Sequence, residues 1–365
     1  MISSLIEQVI ELSLAVQQIP APTFSEARRA AFVHQGFYSQ GLLDVSMDDT
    51  GNVYGRLKGE GLGLPLVISA HLDTVFPIDE DLSITREGDR ISGPGIGDNS
   101  LGVAGLFGLL WALRHKKASL QRDIWLVANV GEEGLGDLCG MRAVVDRFGD
   151  EAYAYIILEG MALGQVYHRG LGVKRYRLLV ETQGGHSWVD YGQPSAVHEL
   201  GKLITQLAQL VLPEKPRTTL NAGVISGGTT VNTIAAQAYL ELDLRSESLE
   251  ALAQLDKQVE ARVQAANQPG VRITGTVIGE RPVGELASDH TLVRAAVASL
   301  ESQGLTARLN IGSTDANIPL SRGLPAVCIG LTNGGGAHTS GEFIQIQPLS
   351  QGLKQLVALV ESLCE

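Results

Sequence analysis

The chain has 365 residues, of which 44% are apolar and 19% are charged, so it can bury a hydrophobic core and is not a disordered polypeptide. Its 40 acidic and 28 basic residues give a net charge of −12, and no Lys/Arg cluster interrupts this balance. The composition therefore argues against nucleic acid and against a membrane surface as partners, and the length favours two domains.

The first half of the chain alternates helical and strand patterns. An amphipathic stretch that Pro20 ends predicts a first helix, and it lacks the basic start of a secretory signal. Thr23 and Glu26 have capping-box spacing for a second helix, which Gly41 would end. Buried strands are predicted at 66–70, 124–130 and 154–158, with helices near 99–115 and 137–148 between them. This order indicates an α/β fold with a mostly parallel sheet flanked by helices.

The regular alternation of predicted strands and helices ends near Gly170. The next elements are predicted as strand 173–182, helix 195–212, strands 218–226 and 232–245, helix 248–265 and strand 271–279. This is the β-α-β-β-α-β order of a ferredoxin-like α+β domain. A helix near 290–303, a strand at 326–330 and a helix at 348–363 then resume the first pattern. We therefore expect a main domain in two parts, 1–170 and 281–365, with an inserted domain at 171–280.

The cysteines and the longest apolar run bear on the compartment. Cys139, Cys328 and Cys364 form no CxxC pair, which favours free thiols in a reducing environment. The charge-free run from Asn99 to Leu113 is too short to span a bilayer, so we expect a buried helix there. These features favour a cytoplasmic protein.

Polar side chains follow each predicted strand of the main domain. His71 and Asp73 follow the first strand, Glu132 and Glu133 follow the second, and Glu159 ends the third. Ligands of open α/β sheets bind beyond the carboxyl ends of the strands, so these side chains could converge in one crevice. His71 and Asp73 are two residues apart in an extended segment and point the same way, so the carboxylate can orient the ring or a neighbouring base.

Two glycine-rich loops extend this set. SGPGIGDNS (92–100) places Asp98 at a helix start, and NGGGAH (333–338) presents His338 after strand 326–330. Nitrogen and oxygen donors without cysteine suit zinc, manganese or cobalt, and a Glu beyond the ligands can serve as general base. No dinucleotide fingerprint, P-loop or nucleophile elbow is present, and Cys139 is better explained as a buried thiol than as a nucleophile. The sequence therefore predicts a metal site.

These motifs resemble those of the co-catalytic zinc metallopeptidase family, which includes aminoacylase, acetylornithine deacetylase, succinyl-diaminopimelate desuccinylase, glutamate carboxypeptidase and peptidase T. The resemblance covers essentially the whole chain. The motifs that carry it are SAHLDTV (69–75), GPGIGDNS (93–100), GEEG (131–134), ILEG (157–160), QGGHS (183–187) and GGAHTSGE (335–342). It implies a zinc-exopeptidase-like fold whose inserted domain is a lid and a dimerisation surface.

The resemblance also implies two divalent ions, with zinc expected and cobalt or manganese able to replace it. The implied ligands are His71, Asp98 and Glu159 for one ion and Asp98, Glu133 and His338 for the other, with Asp98 bridging. Glu132 is then the general base, Asp73 orients the neighbouring histidine, and the peptide bond between Asp98 and Asn99 is cis. Ser100 departs from the lysine that many relatives carry there, which leaves the subfamily open.

Three residues of the insert complete the implied site. His186 would reach the active site of a partner subunit and stabilise an oxyanion, and Asn232 and Arg245 would hold a substrate carboxylate. Glutamate at Glu159 favours the carboxypeptidase and deacylase branches over the aminopeptidase branch. The resemblance thus implies a homodimeric hydrolase that cuts a small peptide or an N-acyl amino acid next to a free carboxylate. The alternatives are a di- or tripeptide aminopeptidase and a catalytically silent metal-binding scaffold, which the complete set of ligands and base disfavours.

Overall fold

The computed structural model describes residues 2–61 and 63–364, without the side chains of residues 2 and 3. It divides into two compact units. Unit 1 contains the residues up to Gly170 and those from Gly284 onward, and unit 2 is Leu171–Val283. The insert predicted at 171–280 thus extends to Val283 in the structure, and the outer ends of the predicted main domain, residues 1 and 365, lie outside the described residues.

The described part of the chain contains helices and strands in the following order. The helices are α1 (Ile2–Gln17), α2 (Ala27–Ser39), α3 (Leu101–Lys116), α4 (Cys139–Phe148), α5 (Ala196–Ala208), α6 (Leu249–Ala266), α7 (Thr291–Glu301), α8 (Asn317–Ser321) and α9 (Leu349–Cys364). The strands are β1 (Leu43–Met47), β2 (Val53–Leu57), β3 (Gly63–His71), β4 (Thr85–Glu87), β5 (Arg90–Ser92), β6 (Arg122–Asn129), β7 (Ala154–Glu159), β8 (Gln165–Gly170), β9 (Gly172–Thr182), β10 (Gly185–His186), β11 (Thr218–Gly227), β12 (Thr233–Ile234), β13 (Gln237–Ser246), β14 (Val271–Arg281), β15 (Gly284–Glu285), β16 (Arg308–Gly312), β17 (Ala326–Gly330), β18 (Gly334–Gly335) and β19 (Phe343–Gln345).

The large sheet of unit 1 has a parallel centre. Its strand order is β1-β2-β6-β3-β7-β17-β8-β15, with β16 paired to β8. The four central strands, β6, β3, β7 and β17, run parallel to one another, whereas β2 and β8 flank them in antiparallel orientation. This arrangement confirms the predicted α/β fold, and it brings the carboxyl ends of the central strands to one edge.

Side chains of the central strands alternate between two hydrophobic layers. On β3, Leu66 and Ile68 pack into the layer that includes α1, α3 and α9, whereas Val67 packs into the opposite layer with α4. The α3 helix is buried on nearly its whole surface because it lies between the sheet and other helices. Only the stretch Ile96–Lys116 is long and apolar enough to cross a membrane among the described helices, and 89% of its most apolar window is buried inside the structure.

A second, small antiparallel sheet lies in unit 1, with the order β18-β19-β5-β4. Its central pair joins β19 to β5, with Phe343 opposite Ser92 and Gln345 opposite Arg90. The pairing brings the glycine-rich loop near the C-terminal end of the chain next to the glycine-rich loop that follows β5. These strands of two or three residues are too short for a hydrophobic period, and the sequence did not predict them.

Unit 2 contains a four-stranded antiparallel sheet in the order β11-β13-β9-β14, with helices α5 and α6 packed against it. This is the ferredoxin-like arrangement that the sequence predicted. Its apolar layer is formed by alternate residues of the strands, such as Leu240, Leu242 and Leu244 on β13, and by one stripe of each helix. The strand predicted at 232–245 is divided in the structure into β12 and β13, and β12 pairs with β10 in a separate two-stranded sheet.

Candidate metal centre

The central strands of unit 1 deliver polar side chains to one edge of the sheet. His71 is the last residue of β3, and Glu159 is the last residue of β7. Asn129 ends β6 and is followed by the acidic segment 131–133, and the chain after β17 leads to His338. Because these strands are parallel, their carboxyl ends place these groups together, as the sequence predicted.

Asp98 lies between two histidines. Its Oδ1 atom is 3.1 Å from Nε2 of His71, and its Oδ2 atom is 3.2 Å from Nε2 of His338. The peptide bond between Asp98 and Asn99 is cis, as the resemblance implied. A single carboxylate thus faces both imidazoles, one with each oxygen.

Each histidine has one further carboxylate beside it. Oε2 of Glu159 is 3.7 Å from Nε2 of His71, and Oε1 of Glu133 is 3.1 Å from Nε2 of His338. Ligand atoms of His71, Asp98 and Glu133 all lie within 4.8 Å of one another. The structure therefore brings all five predicted metal ligands together, in two groups that share Asp98.

The electrostatics of this cluster favour cations. Burial alone would lower the pKa of His71, but hydrogen bonds with Asp73, Asp98 and Glu159 raise it well above the ordinary value of 6.5. Hydrogen bonds with Asp98 and Glu133 raise the pKa of His338 to about 10. Burial raises the pKa of Glu159 to about 7. The carboxylates around the two imidazoles thus stabilise positive charge at this site.

The donor set fits a pair of divalent metal ions. It consists of two imidazole nitrogens and three carboxylates, without cysteine, which is the chemistry that borderline divalent cations accept. His71, Asp98 and Glu159 would hold one ion, and Asp98 would share the second with Glu133 and His338. The short distances among these oxygen and nitrogen atoms are those of ligands grouped around common centres.

Asp73 connects the histidine side of the site to the acidic segment. It is fully buried and lies 3.4 Å, through Oδ1, from Nδ1 of His71. Its carboxylate also accepts the backbone N–H groups of Glu132, at 2.9 Å, and Glu133, at 2.8 Å. Asp73 therefore orients His71 and fixes the backbone on which both the predicted base and a predicted ligand lie. Glu132 itself is buried, with 6% of its surface exposed.

The capping box predicted from Thr23 and Glu26 is wrong. The α2 helix begins after Glu26, whose side chain makes no capping hydrogen bond. Instead, Oγ1 of Thr23 donates to Asp73 at 2.9 Å, and the buried carboxylate of Glu26 accepts the N–H groups of Phe24 and Gly131. The spacing is that of a cap, but Thr23 binds Asp73, 50 residues away, and Glu26 binds Gly131, 105 residues away, so both residues support the segments that carry the metal ligands.

Sequence reasoning also missed the buried amides that surround the ligands. Asn99 donates through Nδ2 to the carbonyl of Leu158 and accepts the N–H of Gly160 through Oδ1, so it holds the backbone on both sides of Glu159. Asn129 donates to Asp315 at 2.7 Å, with both side chains fully buried. Asn99 stands within the motif that follows Asp98, and that motif was the only signal for its role.

The three predicted residues of the insert belong to unit 2 and fall into two places. His186 on β10 is exposed and lies opposite Thr233 on β12, next to Asn232, whose carbonyl accepts the N–H of Ser187. Arg245 stands near the other end of β13, where it pairs with Asp243 on its own strand. Unit 2 therefore brings His186 and Asn232 together and holds Arg245 apart from them.

The ring of His186 has a defined hydrogen-bonding role. Its Nδ1 accepts the backbone N–H groups of Trp188, at 3.2 Å, and Val189, at 3.3 Å. The backbone N–H of His186 donates to Oδ2 of Asp190 at 2.7 Å. Because Nδ1 acts as the acceptor, the neutral ring carries its proton on Nε2, which is a hydrogen-bond donor on an exposed side chain.

The sequence of this chain matches a family model and is similar to known proteins. The family model described as peptidase family M20/M25/M40 matches residues 67–362. The YqjE protein of Bacillus subtilis is 25% identical over 377 residues, which cover 97% of this chain and 98% of its own. Carboxypeptidase G2 of a Pseudomonas species is 25% identical over 328 residues, which cover 86% of this chain and 77% of its own.

A solved structure shows the same fold. The crystal structure of a tripeptidase from Staphylococcus aureus superposes with a TM-score of 0.84 and 20% identity over 98% of each chain. The segment that matches the family model spans most of the chain and includes all five residues of the metal cluster. The resemblance seen in the sequence motifs is thereby confirmed, and the chain belongs to peptidase family M20/M25/M40, the M20 metallopeptidases.

Proposed function

We propose that this metallopeptidase holds two zinc ions and hydrolyses an amide bond next to a free amino-acid carboxylate, in the manner of a carboxypeptidase or an N-acyl-amino-acid deacylase. The observation that carries the dinuclear site is the position of Asp98, whose two oxygens face different histidines. Each histidine has a further carboxylate beside it, so the five residues form two ligand sets around one shared group.

The chain supplies the proton transfers of such a reaction. Divalent ions bound by these ligands would polarise a carbonyl and lower the pKa of water. Glu132 accepts the proton of the attacking water and returns it to the leaving amine. Asp73 fixes the backbone of Glu132 by accepting its N–H at 2.9 Å, next in the chain to the ligand Glu133.

Arg245 is proposed to bind the substrate carboxylate. Its side chain is 41% exposed, and its present partner is the carboxylate of Asp243, with Nε to Oδ1 at 2.6 Å. A guanidinium that already pairs with one carboxylate and remains accessible can take a second one in its fork. The names of carboxypeptidase relatives support this branch, whereas likeness in fold to a tripeptidase leaves the substrate open.

A homodimer accounts for the separation of the residues in unit 2. The strand β13 runs from Gln237, close to the β10–β12 pair, to Ser246, next to Arg245. Gln237 and Arg245 are eight residues apart, which at roughly 3.3 Å per residue is about 26 Å. Both ends of the strand cannot contact one small substrate. We therefore propose that one copy supplies Arg245 and its partner supplies His186 and Asn232.

The edge strand β11 offers a surface for this association. In the part of the chain that the structure describes, β11 pairs only with β13, and its residues from Asn221 to Gly227 are exposed. Val224 and Ile225 on this strand are 43% and 59% exposed. An open edge with exposed apolar side chains is a template for pairing with a second strand. Two copies of unit 2 joined at this edge would cover it.

The location in the cell is also a proposal. Cys139, Cys328 and Cys364 are free cysteines in the structure, and two of them are buried. Thiols that stay unpaired are typical of a reducing compartment. We therefore propose that the enzyme works in the cytoplasm.

The branch is tested by activity against two matched substrate sets, N-acyl amino acids and unblocked di- and tripeptides, each with and without a chelator. We expect chelator-sensitive cleavage of substrates that end in a free carboxylate, including acylated ones that have no free amino group. Loss of cleavage when the carboxylate is amidated would support the role of Arg245. Cleavage restricted to peptides with a free amino group would contradict the proposal and assign the aminopeptidase branch.

A further inference from the structure

The carboxylate of Glu342 is fully buried, and both of its oxygens accept hydrogen bonds from the glycine-rich loop that contains Asp98. Its Oε1 atom accepts the backbone N–H groups of Gly97, at 2.7 Å, and Asp98, at 2.8 Å, and its Oε2 atom accepts the N–H of Gly95, at 3.1 Å. Gly95 and Gly97 precede Asp98 in the chain, and the third N–H group is that of Asp98, the residue that faces both histidines. Glu342 thus holds the backbone of Asp98 from outside the metal cluster.

The main chain of Glu342 fixes the same loop. Its carbonyl accepts the N–H of Gly93 at 2.9 Å, and the next residue, Phe343, pairs with Ser92 across the small sheet. A tight turn connects Glu342 to His338, with the N–H of Glu342 donating to Thr339 at 3.1 Å. One short segment therefore carries a histidine of the cluster at its start and a clamp on the Asp98 loop at its end.

The loop is shaped to receive this clamp. Gly95 has a φ of 69°, a left-handed conformation that glycine adopts without strain. A Cβ atom on Gly97 would lie 2.7 Å from the side chain of Met161 and 3.0 Å from that of Ile344. The backbone of the loop thus passes close to its neighbours with its N–H groups directed at the carboxylate.

We propose that Glu342 is a positioning residue of the metal centre, which sets the Asp98 carboxylate against His338. The inference rests on the proposed dinuclear site. Removing the Glu342 carboxylate would leave two buried N–H groups, those of Gly95 and Gly97, and the part-buried N–H of Asp98 without their acceptor, and buried groups without a partner are costly. The loop would then shift to find other partners, and Asp98 with it. Groups that orient metal ligands in this way typically change metal affinity about 10–100-fold.

Two substitutions of Glu342 should weaken metal binding to different degrees. Glu342→Ala removes all three acceptor contacts. Glu342→Gln keeps one oxygen, which can serve Gly97 and Asp98, and places an NH₂ group near the N–H of Gly95. We expect metal affinity to fall in the order wild type, Glu342→Gln, Glu342→Ala, with the alanine variant weaker by at least about 10-fold.

Asp48 provides a matched control. Its Oδ1 atom accepts three backbone N–H groups, those of Thr50, Gly51 and Asn52, in the turn between β1 and β2. Asp48→Ala therefore removes the same number of backbone contacts from a carboxylate outside the metal loop, together with side-chain hydrogen bonds from Asn52 and Tyr54. We expect Asp48→Ala to lower the midpoint temperature of thermal unfolding, because the turn loses hydrogen bonds. We expect its metal affinity to stay at the wild-type value.

The experiment measures Zn²⁺ affinity by competition with a chromophoric chelator, the number of ions bound, and the absorption spectrum of the Co²⁺-loaded full chain. The proposal predicts weaker binding and an altered Co²⁺ spectrum for both Glu342 variants and neither for Asp48→Ala. Wild-type affinity and spectrum in Glu342→Gln and Glu342→Ala would overturn it while leaving the proposed function intact. If the alanine variant does not fold, the glutamine variant decides. A wild-type chain that binds no metal would overturn the proposed function, and this inference with it.

Discussion

Nδ1 of His71 lies 3.1 Å from the carbonyl oxygen of Asp73 and 3.4 Å from its Oδ1 atom. This contact turns Nε2 of His71 toward Asp98 and Glu159. The same carboxylate accepts two N–H groups of the acidic segment, so Asp73 connects two halves of the metal cluster that are about 60 residues apart in the chain.

We expect Asp73→Ala to weaken metal binding by about 10–100-fold, because the substitution releases both His71 and the backbone that carries Glu133. Chelator competition on the purified chain measures this change. Thr23→Val is the matched control, since it removes one hydrogen bond to Asp73, of 2.9 Å, and leaves the carboxylate in place. An Asp73→Ala variant with wild-type metal affinity would contradict the role given to Asp73.

Glu132 and its neighbour Glu133 should respond differently to the same substitution. Glu132→Gln is expected to lower kcat by about 10²–10⁴-fold with two ions still bound, because it removes a proton acceptor and no ligand. Glu133→Gln is expected to lower metal affinity, because Oε1 of Glu133 lies at the histidine on the second side of the site. Turnover and bound metal are measured on the same samples. Substantial turnover in Glu132→Gln would contradict the assignment of the base.

Much of this site could be predicted from the sequence because residue type and strand end were both visible. A strand ending in His71 and another ending in Glu159 belong to a parallel sheet, so their meeting follows from topology. The roles of Thr23 and Glu26 could not be predicted. Their spacing satisfies a local rule, and only the folded chain brings Gly131, 105 residues away, to the carboxylate of Glu26.

Pairing between distant segments also explains why the sequence did not predict the small sheet of unit 1 or the division of strand 232–245. The β18, β19, β4 and β5 strands are two or three residues long and carry no readable period, yet they place Glu342 beside the Asp98 loop. The predicted strand 232–245 contains a genuine β pattern, but the two residues of β12 pair with β10 instead of joining the main sheet of unit 2. Tertiary pairing, which the local sequence does not encode, decides both cases.

Mixed dimers test whether His186 acts on the partner copy. We combine Glu132→Gln, which keeps His186, with His186→Ala, which keeps the base, under conditions that exchange subunits. If His186 acts in the partner's site, mixed dimers regain one competent site, and random mixing restores about a quarter of the wild-type sites. Each variant alone stays weak. A mixture that remains as inactive as its parts, or sedimentation of an active monomer, would contradict the role of His186.

Asp243 provides a pH dependence away from the metal cluster. Burial alone would raise its pKa, but hydrogen bonds from Arg245 and Arg175 outweigh burial and hold the pKa below the ordinary value of 3.8. A carboxyl whose pKa is lower in the folded state stabilises the fold above its unfolded-state pKa, and that stabilisation is lost as pH falls through the folded-state value. It is therefore fully present at neutral pH and disappears below 3.8.

We expect Asp243→Asn to lower the free energy of unfolding at neutral pH, and we expect the difference from wild type to shrink as the pH falls below 3.8. Urea denaturation of the full chain at a series of pH values measures both. The comparison isolates Asp243, because every other titrating group is common to the two proteins. If the free energy of unfolding depends on pH in the same way in wild type and variant, the two guanidinium groups do not stabilise the ionised carboxylate. Arg245 would then be held in place by contacts other than its pair with Asp243.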